Sequence, residues 1–265
     1  MIPTLADRAA ALRALHRPGD PLVLPNAWDA GSARAVAAAG FPAVATSSAA
    51  VAETLGYADH EATPPAEMFA AVARIARAVT VPVTADLERG YGLRPSELVE
   101  RLLAAGAVGL NLEDSDPATG RLVGVDEQAD LLAAVRSAAR AAGVDVVVNA
   151  RLDVFLRGAG DPAGLLAEAV DRARRYRAAG ADCVYPIGLT DPEAVRALVG
   201  AVDGRINLLA RPGGPGVADL AALGVARISY GHHVHAAVRA RTDELLAAVR
   251  AGADPFAAAR PVASG

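Results

Sequence analysis

A (β/α)8 TIM barrel, an α/β fold with parallel strands and an extra N-terminal helix, is what this 265-residue sequence predicts. Two observations carry that expectation. Eight short apolar runs alternate with segments of helical period, and five helical segments close on a glycine that leads at once into an apolar run. The closing glycines are Gly40, Gly106, Gly143, Gly180 and Gly224. Glycine just past a helix end supplies the left-handed conformation that turns the chain into its next element.

In chain order, a helix is expected near Leu5 to Leu15, before the first strand. Strands are expected over 22–26, 43–47, 81–86, 108–113, 144–150, 182–187, 206–210 and 226–230. Helices are expected from Pro65 to Val79, Pro95 to Ala105, Asp126 to Ala142, Pro162 to Ala179 and Pro192 to Val199. Those opening with Asp-Pro join a capping side chain to the residue best tolerated at the first helical position. An open doubly wound sheet is the alternative, but no glycine-rich dinucleotide fingerprint follows the first strand. No linker or low-complexity tract divides the chain, so one barrel domain over 1–265 is expected, with 252–265 a loose or oligomer-contacting tail.

Composition narrows the function. Hydrophobic residues make up 53% and charged residues 21%, yet the apolar runs are interrupted too often for a membrane span. Met1 to Arg17 carries charges of both signs and lacks the order of a signal peptide, which predicts a cytoplasmic protein. A net charge of −4 gives no footprint for nucleic acid, leaving small molecules as partners. The single cysteine, Cys183, lies in an apolar run and reads as a buried structural thiol. Every one of the 26 basic residues is arginine. Without lysine there is no Schiff base, no pyridoxal phosphate (PLP) chemistry and no Walker-type nucleotide loop. An electrophile here must be a metal, an arginine or backbone amides.

Barrel sites are built at the carboxyl ends of the strands. Those ends carry Asn26 to Asp29, Thr46-Ser47-Ser48, Asp86 with Glu88, Glu113-Asp114, Asn149-Ala150-Arg151, Arg211, and Ser229 to His233. The stretch Val83 to Gly92 delivers two carboxylates into a glycine-rich turn, and Glu113-Asp114 ends the neighbouring strand. Converging carboxylates of this kind hold hard cations such as Mg²⁺. Asp86 could instead cap the following turn, Asp114 could support other groups, and Arg151 could simply neutralise the acids. His232, His233 and His235 lack the further ligands a zinc site needs.

Carried by Ser47-Ser48, Leu55-Gly56-Tyr57-Ala58-Asp59, Asp86 to Gly92, Glu113-Asp114 and Asn149-Ala150-Arg151, the chain resembles the isocitrate lyase/phosphoenolpyruvate mutase superfamily over residues 20 to 235. The resemblance implies Mg²⁺, with Mn²⁺ as a substitute, held by Asp86 and, through water, by Glu88 and Glu113. It implies a small 2-oxo or 2-hydroxy carboxylate substrate that breaks to leave an enolate beside the metal. Amides around Ser47 and Ser48 would bind its carboxylate or oxyanion, Arg151 would clamp it, and Asp59 would act as nucleophile or base. Tyr57 and His60 are candidate proton carriers, and Arg211 and His232 candidate substrate contacts. A homo-oligomer, dimer or tetramer, is also implied.

The chain departs from that superfamily on the loop after its fourth strand. The loop reads Ser115 to Gly124, without the cysteine and lysines of isocitrate-type lyases or the lysine and asparagine of phosphonate enzymes. The expectation is therefore a Mg²⁺-dependent carbon–carbon lyase or hydrolase with an unfamiliar gate. A phosphonopyruvate-type C–P hydrolase or mutase and a non-catalytic carboxylate-binding barrel are the rivals.

Overall fold

The computed structural model describes residues 3–257. Its elements run α1 (Leu5–Ala14), β1 (Leu22–Leu24), β2 (Asn26–Ala27), α2 (Ala30–Ala38), β3 (Val44–Thr46), α3 (Ser48–Leu55), α4 (Pro65–Arg77), β4 (Val83–Asp86), α5 (Pro95–Ala104) and β5 (Gly109–Glu113). They continue with α6 (Val125–Ala141), β6 (Val147–Leu152), α7 (Val154–Arg157), α8 (Pro162–Ala178), β7 (Cys183–Pro186), α9 (Pro192–Ala201), β8 (Asn207–Leu209), α10 (Val217–Ala221), β9 (Arg227–Ser229) and α11 (His233–Arg250).

All strand pairings are parallel, in the orders β2-β3-β4-β5-β6-β7 and β1-β9-β8. A parallel bridge from Val184 to Ile206 joins β7 to β8, and the first strand is broken between β1 and β2 at Pro25, which has no N–H to donate. β1 and β2 are thus one stave pairing to β9 below and to β3 above, and the cylinder closes as a TIM barrel. The expected strands are all present, most trimmed by one or two residues. The fifth begins at Val147 rather than 144, because Val144 and Val146 are spent on turn hydrogen bonds to Ala139 and Val144.

The five predicted closing glycines all adopt positive φ, from 71° at Gly143 to 103° at Gly180. Asp161 and Asp191 cap α8 and α9 ahead of their prolines. The larger core lies between the staves and the surrounding helices. A smaller one fills the floor of the barrel, where Leu12 of α1 meets Leu22, Leu24, Ala45 and Val147. Arg13 fastens that plug to Asp182 at 2.7 Å, so α1 closes the end opposite the strands' carboxyl termini. None of the described helices is long and apolar enough to cross a membrane. Of the expected tail, 258–265 lies outside the described residues.

Candidate active site

The carboxyl ends of the strands surround a cavity of about 240 Å³. Ser47, Ser48, Asp59, His60, Asp86, Arg151 and His232 all line it, so one space gathers most of the residues singled out from the sequence. Glu88 and Glu113 lie behind that lining, 3% and 4% exposed. Two expected contacts stand elsewhere. The Tyr57 hydroxyl donates to Glu67 on α4 at 2.8 Å, and exposed Arg211 borders a separate apolar pocket with Leu189 and Leu220.

Asp86 ends β4 and faces inward. Its Oδ2 accepts from the Ser48 amide at 3.0 Å and the Ser48 hydroxyl at 2.8 Å, at the first turn of α3. A helix N-terminus favours an anion there. The next amide, Ala49 N–H, has no acceptor among the described residues and belongs to the cavity wall. From below, Asn111 Nδ2 approaches Asp86 at 3.4 Å, and Asn149 donates to Asn111 at 2.8 Å. Such inward asparagines were not singled out as a support. The signal was one polar residue inside an otherwise apolar strand, Leu110-Asn111-Leu112.

Glu88 sits in a strained crossing of two loops. His60, Glu61, Glu88 and Tyr91 all have positive φ between 50° and 69°, a region costly to side chains with a Cβ. Hydrogen bonds hold them there. Glu61 Oε1 accepts the amides of Tyr91 at 2.6 Å and Arg89 at 3.1 Å, while Glu88 accepts the Glu61 amide at 2.7 Å and the Tyr91 hydroxyl at 2.8 Å. This lashing lays Asp59 and His60 over Glu88. Among the described residues, these three bring potential ligand atoms within 4.8 Å of one another, whereas Asp86, Glu88 and Glu113 do not form so tight a group. Sequence reasoning misses Glu61 because its partners lie 28 and 30 residues away, beyond α4 and β4.

Burial dominates the electrostatics. It pushes the Glu88 carboxyl up to about 7, with Asp86 and Asp59 adding to the rise. It pushes Glu113 up to about 8 against the pull of Arg151, with Asp153, Asp86 and Glu88 adding to it. The carboxylates therefore feel one another in a poorly solvated space. Arg151 pairs with Glu113, its register partner across β5 and β6, and donates to Asp153 through Nε at 2.6 Å and Nη2 at 3.2 Å. Asp114 is not in the cavity. Fully buried, it accepts from the Asp153 amide, Arg172 and Tyr176, and so fixes the segment that carries Arg151. Cys183 is buried, with its thiol pushed up to about 12 by burial, an inert group. The His232 and His233 rings meet at a tilt of 47° with centroids 4.5 Å apart, while His235 packs on Trp28 outside the cavity.

The model of the phosphoenolpyruvate phosphomutase family matches residues 12–250. An uncharacterized protein of Mycobacterium tuberculosis (strain ATCC 25618 / H37Rv) is 36% identical over 225 residues, covering 82% of this chain and 80% of the relative. The oxaloacetate decarboxylase of Rhodopseudomonas palustris (strain TIE-1) is 31% identical over 95% of this chain and 88% of its own length. Among solved structures, a provisionally named phosphonomutase from Burkholderia cenocepacia J2315 superposes with a TM-score of 0.85 at 46% identity, covering 92% of this chain and 99% of that one. A phosphonopyruvate hydrolase in complex with oxalate and Mg²⁺ gives 0.79 at 28% identity, over 97% and 92% of the two chains. By that match, and by the barrel whose strand ends carry these motifs, the chain belongs to the phosphoenolpyruvate phosphomutase family of the isocitrate lyase/PEP mutase superfamily.

Proposed function

We propose that this protein is a Mg²⁺-dependent enzyme that cleaves, or in reverse forms, a C–C bond beside a 2-oxo or 2-hydroxy carboxylate. The carrying observation is the acidic group at the strand ends, Asp86 held on Ser48 with Glu88 and Glu113 buried behind it and pushed toward neutrality by burial and by neighbouring carboxylates, Asp86 among them. Clustered carboxylates in low dielectric need a proton or a cation, and an all-oxygen donor set suits Mg²⁺, or Mn²⁺ in its place. Asp86, which lines the cavity, would hold it directly, and Glu88 and Glu113 behind it through water. Bound there, the ion supplies Lewis acidity beside an enolate oxygen as negative charge develops.

The protein's own groups do the rest. Ser48 fixes one Asp86 oxygen, which aims the carboxylate at the cavity. The Ala49 amide and the remaining Arg151 N–H groups are donors for the substrate carboxylate. Asp59 and His60, exposed and beside Glu88, would carry a proton between solvent and the reacting carbon. Support for carbon–carbon cleavage comes from the relation to oxaloacetate decarboxylase. The likeness to the Burkholderia phosphonomutase favours C–P chemistry as a second reading. We further propose a homo-oligomer, since α11 leaves Val238, Leu246 and Val249 between 50% and 61% exposed.

The test is release of pyruvate or oxalate from malate, citrate and oxaloacetate derivatives and from phosphonopyruvate, with and without Mg²⁺. Metal-dependent turnover of a carbon–carbon substrate, lost in Asp86→Asn, is expected. Turnover of phosphonopyruvate alone would move the assignment to the second reading. No turnover across the panel would leave a barrel that only binds.

A further inference from the structure

We infer that Arg157 binds a second anionic group of the substrate, other than the one beside the metal, and so selects dianionic 2-oxo or 2-hydroxy acids. This rests on the reading of the site given above. Arg157 closes α7 and lines the same cavity as Asp86 and Arg151. The two arginines differ in what they meet. Arg151 already has Glu113 and Asp153 against it, whereas no carboxylate among the described residues pairs with or accepts from Arg157. Of the acids that line the cavity, Asp86 is held by Ser48 and Asp59 lies beside His60 and Glu88, and the exposed Arg157 guanidinium pairs with neither.

Its placement is built in. The Arg157 amide donates to the Asp153 carbonyl at 2.8 Å, so the residue hangs from the same segment that holds Arg151. The following turn is sharp. A Cβ at Gly158 would stand 2.5 Å from the Val154 carbonyl oxygen and 2.7 Å from Leu165, so glycine is required there and the chain leaves α7 along one path. The guanidinium reaches Gly120, with Nη1 3.7 Å from where a Cβ there would stand. Arg157 therefore bridges the cavity and the 115–124 loop, a loop that offers no lysine. A planar guanidinium with free N–H pairs is suited to bidentate capture of a carboxylate or similar oxyanion.

Malate and lactate share a 2-hydroxy carboxylate head and differ by the distal carboxylate, while oxalate is all head. Calorimetric titration of the Mg²⁺-loaded protein with each, for the wild type, Arg157→Gln and Arg157→Lys, separates the two ends of the site. We expect the wild type to prefer malate to lactate, and Arg157→Gln to weaken malate about tenfold, the loss of one charge-assisted pair. Oxalate should bind both proteins alike, which also certifies folding, and Arg157→Lys should recover part of the preference. Equal affinity for malate and lactate in the wild type, or a malate preference intact in Arg157→Gln while oxalate still binds, overturns the role of Arg157 alone. Absence of Mg²⁺-dependent oxalate binding by the wild type overturns the reading of the site and this inference with it.

Discussion

Replacing Asp114 with alanine tests whether the support beneath the site is a tightly coupled unit. The carboxylate is fully buried, one residue beyond Glu113. Its Oδ1 accepts the Asp153 amide at 2.8 Å, and its Oδ2 accepts the Tyr176 hydroxyl at 2.9 Å and Arg172 Nη1 at 3.1 Å, both from α8. The alanine variant strands a phenol, an amide and a guanidinium whose side chain is 8% exposed. Breaking a buried ion pair from one side costs about 3–5 kcal/mol, and the stranded guanidinium keeps a second partner in Glu168, so a loss of about 3 kcal/mol is expected. Urea unfolding reads it as a lower midpoint at unchanged m. Adding Tyr176→Phe should cost less than its single value, by about 1 kcal/mol, because the phenol's acceptor is already gone, although Arg172 still donates to it at 3.1 Å. A loss below about 1 kcal/mol in Asp114→Ala, with additive behaviour, refutes the reasoning, because it would rate the pair no higher than an exposed one.

Other expectations follow from single contacts. A Cβ at Gly109 would stand 2.9 Å from Leu12 and from Thr84 inside the barrel floor, so Gly109→Ala should lower stability by about 1–3 kcal/mol. Gly200 in α9 has open space instead, and Gly200→Ala should stabilise by about 0.5–1 kcal/mol; a melt raised in Gly109→Ala would contradict the first expectation and one lowered in Gly200→Ala the second. His16 is buried with Nδ1 on the Leu12 carbonyl, and burial first, then Arg227, lowers its imidazole to about 4. Its folded pKa lies below the unfolded value, so stability is unaffected above about pH 6.5 and falls toward pH 4 as the unfolded chain takes up the proton first. Between pH 6.5 and 5 the loss from this group approaches about 2 kcal/mol, and His16→Gln should flatten that slope; identical slopes in both proteins would remove His16 as the cause. Binding of oxalate should vanish on chelation of divalent ions and return with Mg²⁺, and oxalate titrations unaffected by chelator would count against a metal.

Much of this architecture is readable from local chemistry. The glycine joints and Asp-Pro caps act within a turn of their own position, so Gly106 or Asp191 declares its role without reference to the rest of the chain. The strand-end rule then places Ser48, Asp86 and Arg151 at one mouth, because each lies at or just past its strand. The rule weakens once the chain turns. Arg211 lies two residues beyond Leu209 and would share its face in a continuing strand, but an Arg211 to Gly214 turn rotates it out. Tyr57 follows the end of α3, and its hydroxyl finds Glu67 on α4 instead of the cavity.

What the sequence hides is which charges have already found partners. Arg151 and Asp153, two residues apart, look like independent strand-end groups, yet the β5–β6 register sets Glu113 beside Arg151 and the turn after β6 folds Asp153 back onto it. Register depends on the closure of the whole cylinder, which no local pattern encodes. The same closure decides Glu61, whose carboxylate holds the amides of Arg89 and Tyr91 and with them the left-handed backbone at Glu88. Strain of this kind persists only where surrounding contacts over-determine it. Cutting Glu61 to glutamine should therefore loosen Glu88, and with it Asp59 and His60 on the cavity wall, while replacing no residue of the wall itself. Weakened Mg²⁺-dependent oxalate binding at near-normal stability would tie that backbone to the site, and unchanged binding would leave the Glu61 contacts as loop packing alone.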